Sequence, residues 1–245
     1  MPSSVWRSAN CGWRWSSPMP HSTFKPYSVV SCLVLALMGW GGAVGVAHAA
    51  RVVAVHGVLH LERGDKAQTV LAGMAVQEGD SFRSEGEAEL LIRFDDGARM
   101  VLRPGSNLRL TTLREHGPMT KRQKTMHMVK GGLRFVSGRG PARHRVAFET
   151  ETATIGIRGT DIEIAVADEA VADNASGTYL QVNSGAATLQ AVDGTVLSVD
   201  PGEVAFGGEP ELTPKDGSGI KRPAGRKLLG AMLFFKKTGM DAMLK

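Results

Sequence analysis

Apolar and polar residues alternate along most of the chain beyond residue 50, a period of two that marks strands with one buried and one wet face. The clearest run is 87–94, where Ala88, Leu90, Ile92 and Phe94 share one side and Glu87, Glu89 and Arg93 the other. Val53, Val55, Leu59 and Leu61 are spaced for one face over 51–63. Further strands are predicted over 74–82, 98–103, 107–113, 144–150, 178–182, 186–192 and 195–199. Turn-forming residues punctuate them: Arg63-Gly64-Asp65, Glu78-Gly79-Asp80, Asp95-Asp96-Gly97, Pro104-Gly105-Ser106, Ser184-Gly185, Asp193-Gly194 and Pro201-Gly202. By the same logic 126–129 and 133–136 form a hairpin around Gly131-Gly132. Residues 152–166 form two strands meeting at Arg158-Gly159-Thr160-Asp161. The polar stretches 114–125, 137–142 and 168–176 read as loops. Short strands at regular spacing with glycine-rich turns predict an all-β fold, a jelly-roll-like β-sandwich of short antiparallel strands.

The two ends of the chain differ from this body. The apolar run 28–46 follows Arg7, Arg14 and Lys25 with no acidic residue before it, and ends in Val46-Ala47-His48-Ala49. That is the pattern of a secretory signal peptide, 1–49, and it places the mature chain in the periplasm. The alternative is an uncleaved inner-membrane anchor. The polar stretch ahead of the run is long, and Met19 competes with Met1 as the true start. At the other end, 207–226 has the composition of a linker. Residues 227–245 offer Leu228, Met232, Phe235, Met240, Met243 and Leu244 as the apolar side of a short C-terminal helix, with Gly230 and Gly239 working against it. Such a helix would dock on a membrane surface or a partner protein, and the alternative is a frayed terminus. The resulting division is 1–49 signal peptide, 50–206 β domain, 207–226 linker and 227–245 tail.

Composition narrows the function. The 245-residue chain carries 29 basic and 24 acidic residues. Removing Arg7, Arg14 and Lys25 leaves 26 against 24, so the net charge falls from +5 to +2. Both cysteines, Cys11 and Cys32, lie in the leader, so the mature chain folds without disulfides. Ten Lys or Arg residues but only one acid, Glu115, fall in 109–145. Arg109, Lys121, Arg122, Lys124, Lys130, Arg134, Arg139, Arg143 and Arg145 are therefore a candidate surface for an anionic envelope glycan. The competing reading pairs these basic strands with acidic neighbours such as those of 78–96. Nucleic acid is an improbable partner, since few aromatics interleave with the basic residues. His56 and His60 would stand roughly 13 Å apart on a strand, too far to share a metal. No phosphate loop, zinc motif, nucleophile elbow or carboxylate pair emerges, so neither a catalytic role nor a cofactor is expected.

The order of the short motifs resembles the FecR-like domain of bacterial envelope proteins. The matching pieces are Val76-Gln77-Glu78-Gly79-Asp80-Ser81-Phe82-Arg83-Ser84, the run 88–97, Leu102-Arg103-Pro104-Gly105-Ser106, Gly131-Gly132-Leu133-Arg134 and 154–162, over a span of about Val52 to Phe206. The resemblance implies an all-β periplasmic domain without catalysis that works through protein contacts in envelope signalling or assembly. The best-known members relay a receptor signal to a cytoplasmic anti-sigma segment. Only a short polar stretch precedes residue 28 here, so the expectation is a standalone secreted form. Arg158, Gly159, Thr160 and Asp161 match the most characteristic motif. Their expected role is structural, with Arg158 partly buried against a carboxylate and Gly159 admitting a close backbone.

Overall fold

The computed structural model describes residues 49–114, 118, 121–138, 145–170, 174–209, 223–228, 235 and 237–244. Residues 1–48, almost all of the segment expected to be a signal peptide, lie outside the described residues, as do Arg139 and Arg143. Contacts divide the chain into 1–46 and 47–245, and the second unit holds the fold. It is essentially all-β: 63% of the described residues are strand and 4% helix.

Its strands are β1 (Ala50–His56), β2 (Leu59–Arg63), β3 (Lys66–Thr69), β4 (Ala75–Val76), β5 (Ser81–Ser84), β6 (Glu89–Phe94), β7 (Arg99–Leu102) and β8 (Asn107–Arg114). Then follow β9 (Gln123–Val136), β10 (Arg145–Glu149), β11 (Ala153–Ala167), β12 (Gly177–Ala191), β13 (Val196–Val199), β14 (Val204–Gly207) and β15 (Gly225–Leu228). Hydrogen bonds link them in the order β15-β14-β12-β11-β10-β9-β7-β6-β1-β4, with β13 on β12 and a branch β3-β2-β5-β8 returning to β9. Pairing is antiparallel except between β9 and β10, a departure from the purely antiparallel expectation.

One continuous core carries the fold. Leu59, Leu61, Phe82, Leu90, Ile92, Phe94, Met126, Phe135, Phe148, Ile155, Ile162, Leu180 and Leu189 are all nearly or fully buried in it. Phe94, Phe135 and Phe148 stack edge-on in series, with ring centroids 6.0 and 5.4 Å apart. The inward faces of β2 and β6 are as expected, although Glu89 and Leu91 on the other side of β6 are buried too, and β1 departs from the pattern. An irregularity between Val52 and Ala54 shifts the register, so Val52 and then Val55 turn inward while Val53 is 39% exposed.

Three predicted breaks are not breaks. The expected hairpin at Gly131-Gly132 is a bend inside β9, a single strand of 14 residues. The joint at 158–161 is a bend in β11, and Ser184-Gly185 is a bend in β12. At the first bend Ser106 takes over the freed backbone groups. Its hydroxyl accepts from Gly132 N–H at 2.8 Å and donates to Gly132 C=O at 3.0 Å. A side chain on Gly131 would put Cβ 2.4 Å from Ser106 Cα, so only glycine allows that approach. Gly185 plays the same part opposite the second bend, where a Cβ would lie 2.4 Å from Gly159 O.

The C-terminal segment also differs from expectation. Gly225–Leu228 pairs with β14 as a strand, and the helical element is a six-residue 3-10 helix, Gly239–Leu244. Among the described residues no helix is long and apolar enough to cross a membrane. Met240 and Leu244 are buried against Leu91 and Val101, on a face separate from the main core. Phe235 packs with Ala175 and Leu228 against Ala165, Ala167, Tyr179 and Phe206.

Candidate functional site

The densest polar chemistry lies beneath that tail. β9 and β11 lie side by side, with Arg134 opposite Glu163 and Val136 opposite Asp161. Glu163 in turn faces Gln181 of β12. Arg103, just past β7, donates from Nη2 to Glu163 at 2.6 Å, and both side chains are nearly buried at 6% and 4% exposure. Arg134 grips Asp161 with two hydrogen bonds, Nε at 2.9 Å and Nη2 at 2.7 Å, a planar fork matched to a carboxylate. Asn183 donates to both Asp161 (3.2 Å) and Glu163 (3.0 Å). Asp241 of the tail completes the set, 3.6 Å from Arg103 and 3.5 Å from Arg134. Its carboxylate also accepts Thr238 N–H at 2.6 Å. The hydrogen bonds from Arg134 to Asp161 hold its guanidinium pKa above the usual value against the opposing effect of burial.

Beside this cluster is a cleft of ≈ 440 Å³, bordered by Arg103, Lys130, Gly132, Ala165, Asp168 and Thr238 among others. Of the charged groups that border it, Arg103 is paired with Glu163 and Lys130 with Asp168 at 3.7 Å, and exposed Glu87 lies on the rim. Among the described residues no group of three or more His, Cys, Asp or Glu side chains could hold a metal ion.

The motif at 158–161 divides by residue. Asp161 is paired as expected of a structural motif, but with Arg134 rather than Arg158. Arg158 is exposed and makes no ion pair among the described residues, which corrects the expectation of a buried pair. It points from the outer side of β11, since Ile155 and Ile157 occupy the inner side. Gly159 has no atom within 4 Å of a built Cβ; its φ of +63° is what requires glycine, and the close approach belongs to Gly185. Thr160 is buried and exchanges hydrogen bonds with Ser137, its N–H donating to Ser137 Oγ and its C=O accepting from Ser137 N–H.

The basic residues of 109–145 also separate. Arg134 belongs to the cluster above. Lys124 is buried, paired with Asp96 and 4.8 Å from the centre of the Phe94 ring. Arg122 is half-buried. Arg109 is exposed in a row with His127 and Glu149 across β8, β9 and β10. Arg114 stands opposite Gln123, and Gln123 opposite Arg145. Arg158 follows Ile157, the partner of Val146, so Arg114, Arg145 and Arg158 gather at one end of these strands, all exposed. Lys121 and Lys130 are exposed as well.

Three ionic partners escaped sequence reasoning. Arg63, taken as part of a turn, donates to Asp80 at 2.6 and 2.7 Å and to Ala75 C=O at 2.8 Å, and these Asp80 hydrogen bonds raise its pKa. Glu163 and Asp241 gave no signal, since nothing in their spacing reveals partners 60 and 107 residues away.

The comparisons with known proteins agree with the motif order. Residues 80–196 match the family described as FecR protein. This stretch is a FecR domain. It contains Arg103, Arg134, Asp161, Glu163 and Asn183, whereas Asp241 comes from outside the matched FecR span. Two crystal structures of a candidate anti-sigma factor from Parabacteroides distasonis ATCC 8503 are each 14% identical with a TM-score of 0.42. The alignment covers 60% of this chain and 58% of that one, so the chain spans little more than half the length of those structures. No curated protein matches the chain.

Proposed function

We propose that the chain is a non-enzymatic envelope module that works through protein contacts in signalling or assembly. It acts in the periplasm once residues 1–49 are removed. The FecR domain supports this reading. The observation that carries it is the state of the ionisable groups in the polar cluster beneath the tail. Arg103, Arg134, Asp161, Glu163 and Asp241 neutralise one another across three strand regions and the tail. Groups committed in this way hold a surface in shape. General acid–base work would instead need a group free to exchange a proton with a substrate.

A second reading rests on Arg114, Arg145 and Arg158, which present an exposed cationic edge. An anionic envelope polysaccharide fits such an edge by charge alone. Binding of the purified chain to envelope proteins and to envelope polysaccharide, at low and moderate salt, separates the two. Protein partners retained at moderate salt support the first reading, and their absence overturns it. Glycan binding that salt removes and Arg158→Ala weakens supports the second.

A further inference from the structure

The tail lies across the strands rather than along one. Its contacts run from Phe235 over Tyr179 and Phe206, past Thr238 at the cleft and Asp241 between Arg103 and Arg134, to Met240 and Leu244 on Leu91 and Val101. The register explains the path. Leu91 faces Val101, Val101 faces Arg134, Arg134 faces Glu163 and Glu163 faces Gln181, a stripe perpendicular to the strands. This face of a β-sheet would ordinarily be polar and wet. Here it carries Leu91, Val101 and Ala165 at 2% exposure or less, because the tail and its neighbours cover them.

We infer that this stripe is the interaction surface of the FecR domain and that the tail is its built-in occupant. It holds the place of a partner-protein segment that presents a carboxylate between apolar side chains. The inference rests on the protein-contact reading above and names the surface and the partner chemistry. Three observations carry it. The FecR domain supplies two guanidiniums and two carboxylates at the centre of the stripe, and Asp241 adds a third carboxylate that bridges both arginines. Apolar contacts flank that carboxylate, with Met240 and Leu244 on one side and Phe235 on the other. The 3-10 helix is held by side chains and by Arg99 Nη1 donating to Met243 C=O at 3.1 Å, with no ladder pairing to the sheet. A six-residue 3-10 helix has little stability of its own, so the stripe orders it. A partner segment with the same pattern meets the same two arginines and the same two apolar seats, and it displaces the tail.

The test uses the full chain and a fluorescent synthetic peptide of residues 235–245. In the variant Asp241→Lys, like charge against Arg103 and Arg134 expels the tail and frees the stripe. The peptide should bind this variant at least tenfold more tightly than wild type. A peptide with asparagine in place of its aspartate should bind at least tenfold more weakly. Asp241→Asn, which keeps the side-chain size, serves if the lysine variant does not fold. Equal peptide binding by wild type and a folded variant, or indifference to the aspartate, overturns the inference. If the peptide binds but no envelope protein does, the surface stands and the protein-contact reading fails. If envelope proteins bind while the peptide does not, the reading stands and this surface is wrong.

Discussion

Three glycines in the second half of this molecule sit inside strands at positive φ, as none among the described residues of the first half does, while Gly194 and Gly202 still lie at turns between strands. In 49–114, Gly64 and Gly97 have φ of +57° and +84°, and the chain reverses there, β2 into β3 and β6 into β7. In 121–207, Gly131, Gly159 and Gly185 have φ of +93°, +63° and +86°, yet the strand continues. The backbone preference is the same, so the outcome is decided by the neighbours. At a turn the chain pairs with itself, as β6 does with β7. At each bend the strand changes partners. β9 leaves β8 and β10 for β7 and β11, β11 leaves β10 for β9 on one edge, and β12 leaves β14 for β13. A long strand is favourable wherever new ladder hydrogen bonds wait beyond the glycine. The three bends let single strands belong to two parts of the sheet.

The sharpest way to probe that contrast is through its ionic anchors. Glu163→Ala removes the carboxylate 2.6 Å from Arg103 in a nearly dry site, leaves the longer contact to Asp241, and should cost on the order of 3–5 kcal/mol. Asp80→Ala leaves Arg63, whose side chain is 32% exposed and can rehydrate, so the loss should be smaller, about 1–3 kcal/mol. Denaturant unfolding of both variants checks the order, and a larger loss at Asp80 would contradict it.

The glycines come next. Gly131→Ala and Gly185→Ala each force a left-handed residue and push a Cβ into neighbouring backbone, with an expected loss of about 2–5 kcal/mol. Gly64→Ala and Gly97→Ala meet open space and should lose only the conformational part, about 1–2 kcal/mol. Equal losses in the two sets would mean that the close approaches at the bends do not matter. The smallest effect belongs to Arg158→Ala. An exposed arginine outside the ion-pair network should shift stability by no more than about 0.5 kcal/mol. A loss of several kcal/mol in the same unfolding experiment would restore the buried pair first expected for it.

The all-β class, the inward faces of β2 and β6 and the turns at Gly64 and Gly97 were legible along the chain, because each depends on residues a few positions apart. The FecR motif order was legible for the same reason. The 158–161 motif was recognised as structural, and the basic stretch as a charged feature. Which partner Asp161 takes was not legible, nor that Lys124 turns inward beneath Phe94 while Arg158 turns out.

Sequence alone determined what each segment prefers: a period of two, a glycine wherever φ must be positive, and charge gathered between 109 and 145. Tertiary structure decided what those preferences became. Arg134 meets an aspartate 27 residues on, and Asp241 reaches back 107 residues to the same arginine. Only the assembled sheet brings those groups within hydrogen-bond range. Local preference acts over a few bonds, whereas desolvated charge and ladder pairing depend on which strands end up as neighbours.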